Sequence, residues 1–244
     1  MSSFHRAVAV VATGILALWM SLTDAMLKYL KPSMRPWLLI AGCVLVSLGA
    51  VQLRRKPVPN DETEPHDAPG GRTGWLLLCP IVVVILFGAN SLGAFTISGP
   101  PGDLPSYAFD IGQYALSKNQ TVPTIGIADV LVGIRQSVNR AYLLEHDVKL
   151  VGFANHIGSA GPGTFILTRF LISCCAADSI ALSVTISGAR ELPKDGRWLR
   201  VTARLQPTRT RSSPDEVVFG PPMEAQRVDA IREPSEPYES LRNS

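Results

Sequence analysis

Three long apolar blocks, all before residue 98, decide most of what this chain can fold into. The first runs from Ala7 to Leu22 without a charge and is closed by Asp24. The second, Trp37 to Leu53, is entered through Pro36 and followed at once by Arg54, Arg55 and Lys56. The third runs from Gly74 to about Ile97, with Trp75 at its start. Each has about 16–24 residues, near the length a helix needs to cross a hydrocarbon layer of roughly 30 Å. Within lipid such a segment must be helical, because only a helix satisfies its own backbone polar groups there. Pro36 suits a first helical position, and Trp75 suits a membrane interface. The expectation is three transmembrane helices, at about 7–22, 37–53 and 74–97. A cleaved signal peptide is the competing reading of the first block. Its apolar stretch is long for that role, and no clean small-x-small site follows before Met26.

Basic residues in the short loops give an orientation. With the amino terminus inside, Arg6, Arg54, Arg55, Lys56 and Arg72 lie inside, and Lys28, Lys31 and Arg35 lie outside. The majority favours a cytoplasmic amino terminus and an extracytoplasmic carboxyl-terminal domain. Residues 54–73, rich in Pro, Asp, Glu and Gly, read as a cytoplasmic linker. Three prolines and two glycines between Ser98 and Pro105 mark the exit from the membrane. The chain thus divides into a membrane region (1–97), an exit linker with a short helix (98–143) and an extracytoplasmic domain with a flexible tail (144–244).

The second half changes character. Ile127, Leu131, Ile134 and Val138 recur at helical spacing, which predicts a helix within Ile127–Tyr142, although Gly133 weakens it. Short strand-like runs follow at Val148–Ala154, Thr164–Ser173, Ile180–Ser187, Trp198–Leu205 and Glu216–Phe219, with Gln226–Ile231 as a further piece. Turn residues such as Gly161-Pro162-Gly163 separate them. So many short strands in so little chain predict a small closed sheet, since closure removes exposed edges. The predicted fold class is therefore membrane α plus soluble β: three transmembrane helices, then a short helix and a small OB-like β-barrel.

Chemistry concentrates in one stretch, Phe165 to Asp178. It is almost wholly apolar, as a strand buried on both faces would be. Yet it contains Arg169 and ends in Cys174, Cys175 and Asp178. A buried guanidinium requires a partner, and Asp178 is the nearest acidic residue in sequence. An extended chain would point Cys174 and Cys175 to opposite faces, whereas a helical turn would put Cys175 and Asp178 on one face. Thiolate and carboxylate together suit zinc or another transition metal, with His146 or His156 as outside candidates. Arg169 would then orient Asp178 from behind. The competing reading makes both cysteines small core residues and Asp178 a turn cap or a partner of Arg169. The adjacent pair cannot readily close a disulfide, because the peptide between the two would be strained. Cys43 and Cys79 read as small apolar residues of the membrane blocks.

The segment Leu167-Thr168-Arg169-Phe170 through Cys174-Cys175-Ala176-Ala177-Asp178, followed by Trp198-Leu199-Arg200-Val201, resembles the DUF1980 or YcgQ-like group of bacterial two-component permease subunits. Tyr29-Leu30-Lys31-Pro32-Ser33-Met34-Arg35-Pro36, Gly74-Trp75-Leu76-Leu77-Leu78 and the closing Pro234-Ser235-Glu236-Pro237-Tyr238-Glu239 resemble that group as well, so the likeness runs along almost the whole chain. The resemblance implies a partner, a larger YraQ-like polytopic permease. Some members carry a histidine-rich second loop, whereas this chain keeps only His66 there.

An accessory subunit of a membrane permease is the function these features favour, with an extracytoplasmic domain that takes a metal at the Cys-Cys-Ala-Ala-Asp element. The alternative is a stand-alone, membrane-anchored metal-binding or thiol-redox protein. An enzyme is disfavoured: the chain has no glycine-rich phosphate loop, zinc-protease motif or nucleophile elbow, and its four histidines are scattered. A net charge of +3 without a basic stripe interleaved with aromatics gives no case for nucleic acid.

Overall fold

The computed structural model describes residues 3–54, 109–156, 163–207 and 220–240. The chain divides into two compact units, Met1–Ser91 and Leu92–Ser244.

In the first unit, helices α1 (Ser3–Leu22) and α2 (Arg35–Arg54) form a hairpin. The 3-10 turns Asp24–Lys28 and Pro32–Met34 connect them. Glycine is a poor helix former, costing roughly 1 kcal/mol against alanine. Here it lines the crossing. A β-carbon on Gly14 would lie 2.8 Å from Val46 Cγ2, and one on Gly42 would lie 2.8 Å from Leu18 Cγ. One on Gly49 would collide with Val11. The bare backbones let the helices approach closely, as in helix pairs that lack a hydrophobic driving force between them. The opposite faces carry large apolar groups outward, including Ile15, Trp19, Trp37, Ile40, Val44 and Leu48.

Of the three expected spans, the first two are helices. Among the described residues, only Pro32–Arg54 is long and apolar enough to cross a membrane, with 23 residues and a mean hydropathy of 1.9. The apolar part of α1, Ala7–Leu22, is shorter. The third block, 74–97, lies outside the described residues, as does the linker 55–73.

The second unit holds helices α3 (Ile111–Ser117), α4 (Ile127–Gly133) and α5 (Ser137–Glu145), then strands β1 (Val148–Asn155), β2 (Phe165–Leu171), β3 (Ile180–Ser187), β4 (Trp198–Leu205) and β5 (Pro222–Ala230). The single helix expected within Ile127–Tyr142 is two helices, the first ending at Gly133. The restart places Asn139 of α5 where its carboxamide accepts from Ile111 N–H at 2.8 Å and donates to the Phe109 carbonyl, tying down the start of α3.

The five strands close into a barrel in the order β1-β2-β3-β5-β4, antiparallel except for the β3–β5 pair. This closed five-stranded barrel is consistent with the expected OB-like domain. Strand β4 shows how the sequence dictates the faces. Leu199, Val201, Ala203 and Leu205 alternate inward, while Arg200 and Arg204 stay exposed. Leu150, Phe165, Leu167, Leu182, Ile186 and Met223 fill the interior beside them. Each such side chain contributes about 1.5–3 kcal/mol on burial. Strand β2 is covered on both sides, as its almost wholly apolar run suggested. Phe170 belongs to a second cluster with Phe153, Ile172 and Tyr238, outside the main core. The expected last piece, Gln226–Ile231, falls largely within β5, and the run Glu216–Phe219 lies outside the described residues.

The barrel has a seam between β1 and β2. Strands β1 and β2 pair only over Phe153–Asn155 and Ile166–Thr168. Beyond that, each offers its vacated edge to a short segment. Residues 123–125 pair with Lys149 of β1, its N–H donating to the Pro123 carbonyl at 2.8 Å and its carbonyl accepting from Ile125. Glu239 pairs with β2, its N–H donating to the Phe170 carbonyl at 2.7 Å and its carbonyl accepting from Ile172. The chain's last described segment thus takes the place in the ladder that β1 leaves empty.

Candidate metal centre

Where β2 ends, three successive backbone N–H groups, those of Ser173, Cys174 and Cys175, come free of the sheet ladder. The chain turns at once into a 3-10 turn, Ala176–Asp178, with Cys175 still extended ahead of it. That turn swings the Asp178 carboxylate back over the same N–H groups. Ser173 donates to Oδ1 at 3.0 Å, and Cys174 and Cys175 donate to Oδ2 at 2.8 and 3.4 Å. The carboxylate is therefore held by local backbone, before any ligand is present.

The same turn gathers the thiols. One ligand atom from each of Cys174, Cys175 and Asp178 lies within 4.8 Å of the other two. Cys174 and Asp178 are exposed and Cys175 is half-buried. Both cysteines are free, and neither belongs to the barrel core, so the core-residue reading is set aside. Hydrogen bonds to Asp178 and to Cys175 hold the Cys174 thiol protonated, pushing it up to about 11. For Asp178, partial desolvation acts upward. The hydrogen bonds from the Cys174 thiol and from the three N–H groups outweigh it, leaving the carboxyl below its ordinary value. Tetrahedral zinc with bonds of about 2.0–2.3 Å sets its donors roughly 3.5–3.8 Å apart. The trio's ligand atoms all lie within 4.8 Å of one another, an upper limit about an ångström beyond that spacing.

Arg169 is placed differently from expectation. Its guanidinium donates to three backbone carbonyls of the terminal segment: Glu236 at 2.7 Å, Pro237 at 3.2 Å and Tyr238 at 3.4 Å. It does not orient Asp178, whose oxygens are occupied by the N–H groups of its own turn. The physical reason is proximity: the terminal segment runs along the β2 edge beside Arg169, within reach of its guanidinium. Among the described residues no histidine joins the trio. His146 stacks on Tyr142 at 4.3 Å between ring centroids, and the His156 backbone N–H donates to Asp195.

Sequence reasoning missed Glu239. Its side chain is buried, and its two oxygens accept from Ile127 N–H at 2.7 Å and Ala128 N–H at 2.9 Å, capping α4 from the far end of the domain. Gly126 makes room for it, since a β-carbon there would lie 2.8 Å from Glu239 Oε2. Burial raises the Glu239 carboxyl, while the charge of Arg169 and the two N–H groups pull it back. The closing motif Pro234–Glu239 was visible in the sequence; only the fold shows that it is a clasp.

No curated protein and no solved structure matches the chain. The DUF1980 C-terminal domain matches residues 119–239. That stretch begins ahead of α4, contains all five strands, Arg169 and the Cys-Cys-Ala-Ala-Asp turn, and ends on the clasp residue Glu239. The barrel domain of this chain thus matches the DUF1980 C-terminal domain, the family that its sequence motifs resemble.

Proposed function

We propose that this protein is an accessory subunit of a membrane permease whose barrel domain, outside the bilayer, binds a zinc-like transition metal at Cys174, Cys175 and Asp178. The observation that carries the metal reading is the gathering of three ligand atoms within 4.8 Å on a turn whose carboxylate is already held in place. Metal binding replaces the thiol protons, as thiolate ligation requires. The permease reading draws support from the family resemblance and from the hairpin, which pairs a glycine-lined contact with an outward apolar face. Trp19 and Trp37 stand at the hairpin's connecting end with Lys28, Lys31 and Arg35 nearby in sequence, a composition suited to a membrane interface. In this reading the hairpin and the third apolar block anchor the chain and contact a YraQ-like partner.

Full-length protein in mild detergent, reduced and stripped of metal, should take up about one equivalent of Co²⁺ or Zn²⁺ with a thiolate charge-transfer band, as a thiolate site requires. Cys175→Ser should abolish that band; a wild-type protein that takes up nothing sinks the metal reading. Gentle crosslinking and purification should recover a polytopic permease. If metal uptake is intact and no such partner appears, the stand-alone membrane-anchored reading replaces this one.

A further inference from the structure

Resting on the metal-binding reading, we propose that the turn holds a divalent ion as cargo in transit, at a three-donor site left open to a donor from another molecule. All three ligands come from one short turn, Cys174 to Asp178, so they approach an ion from one side. The other side faces solvent, since Cys174 and Asp178 are exposed. A structural zinc has four protein donors and is closed; sites that keep three leave a position for water or an incoming ligand. Among the described residues no fourth His, Cys, Asp or Glu joins the trio.

The fold does not lean on the ion. The barrel interior is filled without it, and the turn is set by three N–H groups on Asp178 and by Ala176 packing against the second apolar cluster. The hard carboxylate oxygen favours a borderline divalent ion over copper(I), which prefers sulfur alone.

The exchange involves no redox step. A hydrated divalent ion arrives, the two thiols release two protons to water, and two thiolates and the carboxylate take three of four tetrahedral positions while all but one of the ion's waters leave. One water remains in the fourth position. An incoming thiolate or imidazole displaces it; further donors of the acceptor, or waters, then replace the turn's three ligands one by one, and the two thiolates regain two protons from solvent.

The test uses the full-length protein in detergent, loaded with Zn²⁺ or Co²⁺, with stoichiometry measured first. Zinc release to a chromophoric chelator should speed up in proportion to chelator concentration. Added imidazole should shift the visible spectrum of the Co²⁺ form, and stripping the metal should leave the thermal midpoint almost unchanged. Release that is slow and independent of chelator concentration, a Co²⁺ spectrum blind to imidazole, or a large fall in midpoint on stripping would each make the site structural and overturn the proposal. No uptake at all is a separate outcome: it overturns the metal reading itself, and this inference with it. Cys174→Ser serves as the control, losing uptake while keeping the β circular dichroism spectrum.

Discussion

Replacing Glu239 by alanine tests how the barrel is closed. The side chain supplies two hydrogen bonds, at 2.7 and 2.9 Å, to the first free N–H groups of α4. Bonds to a charged acceptor are worth about 1.5–3 kcal/mol each, and a buried N–H left without a partner costs about 1–3 kcal/mol. Against this stands the cost of burying the carboxylate, which its raised pKa reports. The net loss for Glu239→Ala should be about 3 kcal/mol, or roughly 10 °C in the midpoint of a domain this size. The damage should be local before it is global. Hydrogen exchange should quicken in the peptides spanning Pro123–Val130 and Phe170–Ile172, the two sides of the seam, and not in Leu199–Leu205. The pH dependence has a definite sign. Burial raises the folded-state pKa above the ordinary 4.5, so the folded chain holds this proton more tightly than the unfolded chain does. The resulting stabilisation is fully present below 4.5 and is lost as pH rises through the folded pKa. The stability advantage of wild type over Glu239→Gln should therefore shrink as pH is raised above 4.5. A change under about 1 kcal/mol for Glu239→Ala, or an advantage that grows with pH, would refute this reasoning.

Arg169→Met should loosen the terminal segment, seen as faster exchange in Glu236–Glu239, while leaving Co²⁺ uptake unchanged; lost uptake would return Arg169 to the metal site. Because the Cys174 thiol is pushed up to about 11, each ion bound near neutral pH must expel its proton. Apparent zinc affinity should thus rise at least tenfold per pH unit between pH 6 and 8, and a flat profile would remove Cys174 from the ligand set. Gly49→Leu should force α1 and α2 apart, since even a β-carbon there meets Val11. A crosslink between cysteines placed at Ala7 and Ala50 should weaken in that variant, and an unchanged crosslink would deny the close crossing. In a background with Cys174 and Cys175 replaced by serine, a cysteine at the exposed Leu192 should react with an impermeant reagent in intact cells. Labelling only after lysis would invert the orientation.

What could be read from the sequence, and what could not, divides by distance along the chain. Strands β3 and β4 were legible to the residue because turn residues bound both and, in β4, inward and outward positions alternate. The Cys174–Asp178 trio was legible because its geometry is made within one turn, where spacing alone decides which side chains meet. Arg169 was misassigned for the opposite reason. Its nearest acid in sequence is Asp178, but its partners lie 67 to 69 residues away, brought alongside by the β2 edge that β1 abandons. Glu239 was invisible as a cap because the helix it caps begins 112 residues earlier. These two distant contacts, and the local turn, nonetheless meet on one strand. Ile172, whose N–H donates to Glu239, is followed directly by Ser173, whose N–H donates to Asp178. The clasp that closes the barrel and the turn that gathers the thiols are therefore held by hydrogen bonds of two consecutive residues just past the end of β2. That contiguity accounts for Arg169, the Cys-Cys-Ala-Ala-Asp element and the terminal Pro234–Glu239 motif standing out together in the sequence: the first and last hold the strand end from which the middle one projects.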